Sequence, residues 1–113
     1  MLTLAFFLFL AASVGGVLMT TMLAKNMDVP AFMGKGHGLT ALAGLAVLFA
    51  ACLMGEGSTT VRAWLAFFVF LGGFMGGALV IAHVFFHKPP MWFTAIHASA
   101  AVLGLGLLLE PAF

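Results

Sequence analysis

The sequence predicts an all-α membrane protein, a four-transmembrane-helix bundle built from two duplicated helical hairpins. Three observations lead to this prediction. The composition is 65% hydrophobic and 6% charged, with a mean hydropathy of +1.27, which is far from that of a soluble domain. Four apolar stretches are each long enough to cross a hydrocarbon core of roughly 30 Å as a helix. The second half of the chain also repeats the pattern of the first half.

The apolar stretches predict helices at 2–23, 30–54, 63–86 and 90–109, in a single integral membrane domain that covers residues 1–113. Polar segments close each stretch, with the sequences AKNMDVP, GEGSTTVR, HKPP and EPAF. Helices are favoured because the bilayer interior offers no water to unpaired backbone groups. The connections are short, so consecutive helices are expected to be antiparallel neighbours in a bundle.

The repeat is visible at the level of single residues. AFFLFLAASVGGVL, residues 5–18, and AFFVFLGGFMGGAL, residues 66–79, are identical at eight of fourteen positions. At an offset of 60, the second and fourth stretches pair Pro30 with Pro90, His37 with His97, Gly44 with Gly104, and Leu48 with Leu108. Both hairpins enter the membrane in the same sense, which predicts a pseudo-two-fold axis along the membrane normal. A residue near that axis is expected to meet its own counterpart.

The distribution of charge predicts an orientation. Lys25, Lys35 and Lys88 lie at one end of the predicted bundle, whereas Arg62 lies at the other end with two glutamates. Cytoplasmic loops carry an excess of basic residues. We therefore expect the lysine end to be cytoplasmic and both chain termini to lie outside, in the inner membrane of a bacterium. The net charge of +1 indicates no nucleic-acid partner.

His37 and His97 are the main candidate functional residues. Each follows its matching proline by seven residues, which corresponds to a depth of roughly 10 Å in a helix. An ionisable side chain at such a depth is by default a functional candidate. The two histidines are related by the repeat, so they are predicted to be metal ligands that face each other near the axis.

The residues around these histidines favour haem b as the cofactor. The helix face of His37 continues through small residues to Gly44, and the face of His97 does the same to Gly104. Small residues would leave a slot for a porphyrin, and the two imidazoles would be the axial ligands of its iron. Lys35 is placed to meet a haem propionate. Two axial histidines leave no open iron position, which favours electron transfer, and no catalytic residue is assigned.

His83 and His87 have no counterparts in the first hairpin. His83 is a further candidate for cofactor binding, as a second haem ligand, a quinone contact or a proton relay, with a structural hydrogen bond as the alternative. His87 adjoins Lys88 and is interpreted as an interfacial residue.

Other interpretations stay open at this point. The chain contains eight methionines, and thioether and imidazole ligands suit copper, so a copper or other metal site is a minor alternative. Small residues at four-residue spacing also pack membrane helices without any cofactor. We expect a homo-oligomer or membership of a larger membrane complex, in which the chain could be an accessory subunit.

The whole arrangement resembles the four-helix membrane b-type cytochromes, a group that includes cytochrome b561-like proteins and haem-bearing membrane anchors. His37 and His97 with their small neighbours carry the resemblance, and His83 is a possible extra ligand. The resemblance implies electron transfer between a quinol, or another small donor, and a partner. The b561-like proteins often hold two haems near opposite faces. No histidine lies near the outer end of this chain, so passage of electrons across the whole membrane is not expected.

Overall fold

The computed structural model describes residues 1–55, 60–81 and 88–113. It contains four α-helices, which are α1 (Leu2–Ala24), α2 (Ala31–Leu53), α3 (Thr60–Ile81) and α4 (Met91–Ala112). All four are long and apolar enough to cross a membrane. The prediction of an all-α protein with four candidate membrane spans is therefore confirmed.

The helices form a square in which α1 packs on α2 and α4, and α3 also packs on α2 and α4. Helices α1 and α3 are thus diagonal to each other, as are α2 and α4. We call the end with Met1, Phe113 and the α2–α3 connection the termini end. The opposite end, with the α1–α2 connection and Lys88, is the lysine end.

Helices α2 and α4 begin in the same way. Pro30 and Pro90 are the residues that precede them, with extended ψ angles of 138° and 146°. The carbonyl of each proline accepts a hydrogen bond of 3.0 Å from the backbone N–H three residues later. Proline suits this position because the missing N–H has no partner at a helix start. The predicted starts of both helices agree with the structure to within one residue.

The C-terminus of α4 extends further than predicted. The helix continues past Leu109 to Ala112 and includes Pro111, although a proline near a helix end usually stops it. Tertiary contacts hold this last turn, because Thr3 donates a hydrogen bond of 2.6 Å to the carbonyl of Ala112. Arg62 also pairs with Glu110 across α3 and α4.

The start of α3 also differs from the prediction. It begins at Thr60, three residues before the predicted position 63. The predicted end of this helix at 86 lies outside the described residues.

The buried core lies in the half of the bundle near the termini end. It comprises Leu2, Ala5, Phe9 and Ala12 of α1, Gly44, Leu45, Leu48, Ala51 and Cys52 of α2, Ala63, Ala66 and Phe70 of α3, and Gly104, Leu108 and Ala112 of α4. In the other half, none of residues 13–43, 71–79 and 88–103 is buried.

Phe9 and Phe70 form the centre of this core. They come from the diagonal helices α1 and α3 and stack with ring centroids 3.6 Å apart and an angle of 2° between their planes. Gly44 and Gly104 flank the stack. A Cβ atom at Gly44 would lie 3.1 Å from the Phe9 ring, and one at Gly104 would lie 2.7 Å from the Phe70 ring. Glycine at both positions therefore lets the rings reach the bundle axis.

Candidate functional site

The two candidate histidines meet in the lysine half of the bundle. His37 of α2 and His97 of α4 come from diagonal helices, and their ring centroids are 5.9 Å apart with an angle of 60° between the ring planes. Both side chains are half-buried. The structure thus brings together the two residues that the sequence singled out, which lie 60 positions apart in the chain.

A backbone carbonyl of α1 holds the His37 ring. Nδ1 of His37 lies 2.8 Å from the carbonyl oxygen of Ala12. A carbonyl can only accept a hydrogen bond, so Nδ1 carries a proton; in the neutral imidazole this leaves the lone pair on Nε2. Gly16, one turn further along α1, lies beside the same ring, since a Cβ atom there would be 3.3 Å from Cε1 of His37.

His97 lies in a similar position against α3. A Cβ atom at Gly77 would be 3.5 Å from Cε1 of His97. Nδ1 of His97 is buried without a hydrogen-bond partner among the described residues. The two rings therefore differ in how firmly the backbone orients them.

The glycines predicted to line a porphyrin slot lie next to phenylalanine rings. Gly44 and Gly104 are buried, and Phe9 and Phe70 fill the space beside them. They lie seven residues beyond the histidines, which is about 10 Å along the helix axis. The glycines and the stacked rings thus form a layer next to the histidine pair, on the side toward the termini end.

Of the three other predicted residues, the structure describes Lys35. Lys35 is exposed on the first turns of α2, two residues before His37. His83 and His87 lie outside the described residues.

The sequence interpretation missed the residues of α1 and α3 that surround the pair. Phe9, Ala12 and Gly16 share one face of α1 at spacings of three and four residues, so they mark the face turned toward the site. This spacing was the signal that could have found them. The carbonyl of Ala12 has no signal in the sequence, since every residue carries one.

A groove runs along α3 and α4 beside His97. It has a volume of about 300 Å³, and its lining includes Gly72, Gly73, Gly76, Phe68, Phe93 and His97. Phe68 is 60% exposed, so the groove opens on the side of the bundle that faces lipid. His97 is one of the residues that line this groove.

The described residues contain no group of three or more histidine, cysteine or acidic side chains that could hold a metal ion. Among the described residues, the imidazoles of His37 and His97 are thus the histidine donors of the site.

Comparison with protein-family models, with curated proteins and with solved structures gave no match to this chain.

Proposed function

We propose that this chain binds haem b between His37 and His97 and transfers electrons within the membrane. The observation that carries the proposal is the approach of two imidazoles, from diagonal helices, to a centroid separation of 5.9 Å. Metal–imidazole bonds are about 2.0–2.1 Å long. Two imidazoles this close would both hold one iron placed between them.

The number of donors favours haem over a bare metal ion. Structural zinc sites use four protein ligands, and catalytic sites use three. The described residues offer two imidazoles here. A porphyrin would supply four nitrogens of its own, so His37 and His97 would complete the coordination of its iron. When bound, the haem would supply a one-electron couple, while the protein would set its ligation and burial.

The hydrogen bond from His37 to the Ala12 carbonyl also supports a metal-ligand role. Histidine ligands generally donate their second ring N–H to a carboxylate or a backbone carbonyl, which fixes the tautomer and the ring orientation. His37 makes this bond at 2.8 Å, and Nε2 is left for the iron. His97 has the same Nε2 available if its Nδ1 carries the proton.

We infer that the haem would bind in the lysine half of the bundle, where His37 and His97 lie. Phe9 and Phe70 fill the centre of the termini half, whereas none of residues 13–43, 71–79 and 88–103 in the lysine half is buried. The haem would lie above the stacked rings, with its propionates toward the lysine end. Lys35 is exposed there and would pair with a propionate.

We further propose that the two hairpins are copies of one unit. Matching residues make matching contacts: Phe9 and Phe70 stack on each other, and Gly16 and Gly77 each lie beside a histidine. A site on the pseudo-two-fold axis would then receive one ligand from each copy.

In the same proposal the lysine end is cytoplasmic, both termini lie outside and the membrane is a bacterial inner membrane, following the basic residues at the lysine end.

A lipid-soluble quinone is the redox partner that the groove beside His97 favours. The groove opens toward lipid, has a volume of about 300 Å³ and reaches the imidazole. Its glycines present a flat surface, and Phe93 adds an aromatic wall. A flat ring that arrives through the bilayer would therefore come into contact with the proposed axial ligand.

The test is an absorption spectrum of the purified protein with and without added haem. We expect a sharp α band in the reduced-minus-oxidised spectrum and its loss in His37→Ala and in His97→Ala. Ser99→Ala is the matched control, because Ser99 is exposed on α4 two residues from His97; it should keep the band. His87→Ala should also keep it.

Three outcomes would contradict the proposal. One is the absence of the band after haem supplementation. Another is stoichiometric copper or zinc in a colourless preparation, which would identify a metal-ion site. The third is a haem-free protein that migrates only with a larger assembly, as an accessory subunit would.

A further inference from the structure

A second cavity lies at the lysine end, between the end of α1 and the start of α4. Its volume is about 480 Å³, and its lining includes Leu23, Ala24, Asn26, Lys88, Pro90 and Met91. It shares no lining residue with the histidine site. The lining combines apolar side chains with one ammonium group and one amide, which suits a ligand with an apolar part and a charged part.

The helix cap of α1 fixes the position of the amide. Asn26 has a φ of +56°, which asparagine tolerates better than most residues. The N–H of Asn26 donates to the carbonyl of Leu23, and the N–H of Met27 donates to that of Met22, as in a Schellman motif. Backbone hydrogen bonds thus close the turn that follows α1. They fix the backbone conformation at Asn26 and therefore the position from which its side chain extends.

The amide in turn holds the lysine. Lys88 donates a hydrogen bond of 2.9 Å from Nζ to Oδ1 of Asn26, which connects the segment after α1 to the segment before α4. An ammonium group has three N–H donors, and the asparagine amide has two. After this bond the pair retains two donors on Lys88 and two on Asn26, together with the positive charge.

The neighbouring charges also favour an anion. Lys25 is exposed beside Asn26 but does not line the cavity, so its positive charge acts only at longer range. Asp28 is the acidic residue of the same connection, so the local sum remains positive. Basic residues at the end of a membrane helix attract anionic lipid headgroups.

We propose that this cavity binds one anionic phospholipid. The phosphate would accept hydrogen bonds from Lys88 and Asn26, and an acyl chain would lie along Leu23 and Met91. A lipid is favoured over free phosphate because the lining includes apolar side chains at the end of two membrane spans. The bound lipid would link α1 to α4, the two helices whose ends form the cavity.

The test is native mass spectrometry of the full chain in detergent, titrated with phosphatidylglycerol, phosphatidylcholine or inorganic phosphate. We expect one tightly retained phosphatidylglycerol per chain, with weaker retention of phosphatidylcholine and no detectable retention of inorganic phosphate. Lys88→Gln should weaken phosphatidylglycerol binding about fivefold, the usual contribution of one basic residue near an anionic lipid surface. Asn26→Gly removes the amide and keeps a residue suited to positive φ, and it should weaken binding as well.

Lys25→Gln is the matched control, since Lys25 lies one residue from Asn26 but outside the lining residues. It should leave binding within about twofold, because the charge at longer range is screened. Equal losses in Lys25→Gln and Lys88→Gln would overturn the proposal, as would equal retention of the two lipids. Displacement of the lipid by added haem would also overturn it and would assign Lys88 to a propionate.

Discussion

In the half of the bundle near the termini end, Phe9 of α1 and Phe70 of α3 lie at the bundle axis. In the lysine half, His37 of α2 and His97 of α4, the other diagonal pair of helices, lie there. The phenylalanines stack at 3.6 Å among buried neighbours, whereas the imidazoles stand 5.9 Å apart and are half-buried.

Under the proposed function, this difference separates the half of the bundle that stabilises the fold from the half that would bind the cofactor. In the half near the termini end, Phe9 and Phe70 fill the space on the bundle axis, because the flanking glycines allow each ring to reach it. The histidine layer has one ring fixed by a carbonyl and another with a buried nitrogen that lacks a hydrogen bond within the described residues. Substitutions in the first layer should therefore lower the free energy of unfolding. Those in the second should chiefly change what the protein binds.

Removal of a stacked ring should have the largest effect on stability. We expect Phe70→Ala to lower the free energy of unfolding by about 3 kcal/mol, the low end of the range for Phe→Ala in cores. The low end applies because lipid is as apolar as the core, so the Phe70→Ala variant loses mainly packing contacts. Phe68→Ala, at a position 60% exposed, is the control in thermal unfolding in detergent. Equal losses in the two variants would show that the stack is not the centre of the core.

Filling the space beside the stack should have an intermediate effect. In Gly104→Ala the new Cβ would lie 2.7 Å from the Phe70 ring, so the ring or the helix has to move, at a cost of about 1–3 kcal/mol. Gly106→Ala is matched to it, because a Cβ there meets nothing within 4 Å. Gly106→Ala should unfold at the same or a higher temperature, since alanine favours helix over glycine. A stable Gly104→Ala variant would contradict the tight approach of α4 to Phe70.

Substitutions beside His37 should have the smallest effect on stability and a larger effect on haem binding. A Cβ in Gly16→Ala would lie 3.3 Å from Cε1 of His37 and would displace the ring slightly, whereas one in Gly15→Ala meets nothing within 4 Å. Both variants should unfold within about 1 kcal/mol of the parent, since alanine is the better helix former. Gly16→Ala should bind haem about tenfold more weakly, the usual scale for disturbing the partners of a metal ligand.

Titration of the apoproteins with haem, followed by absorbance, measures the binding difference between these two variants. Equal haem affinity in Gly15→Ala and Gly16→Ala would mean that the orientation of the His37 ring does not matter for the site.

The sequence by itself determined the four apolar helices and the choice of His37 and His97. Length and hydropathy decide whether a segment can cross a bilayer, and a polar residue inside such a segment is conspicuous because it is costly. Proline placement also determined where α2 and α4 begin, since the missing N–H is harmless only at a helix start.

Only the tertiary structure decided what lies beside each of those residues. The face of a nearly uniformly apolar helix cannot be inferred from polarity, so the interpretation of Gly44 and Gly104 as slot residues did not anticipate that phenylalanine rings fill the space beside them. The bond from His37 to the Ala12 carbonyl depends on how α1 packs against α2. The continuation of α4 through Pro111 depends on contacts with Thr3 and Arg62, which offset the local preference of proline to end a helix.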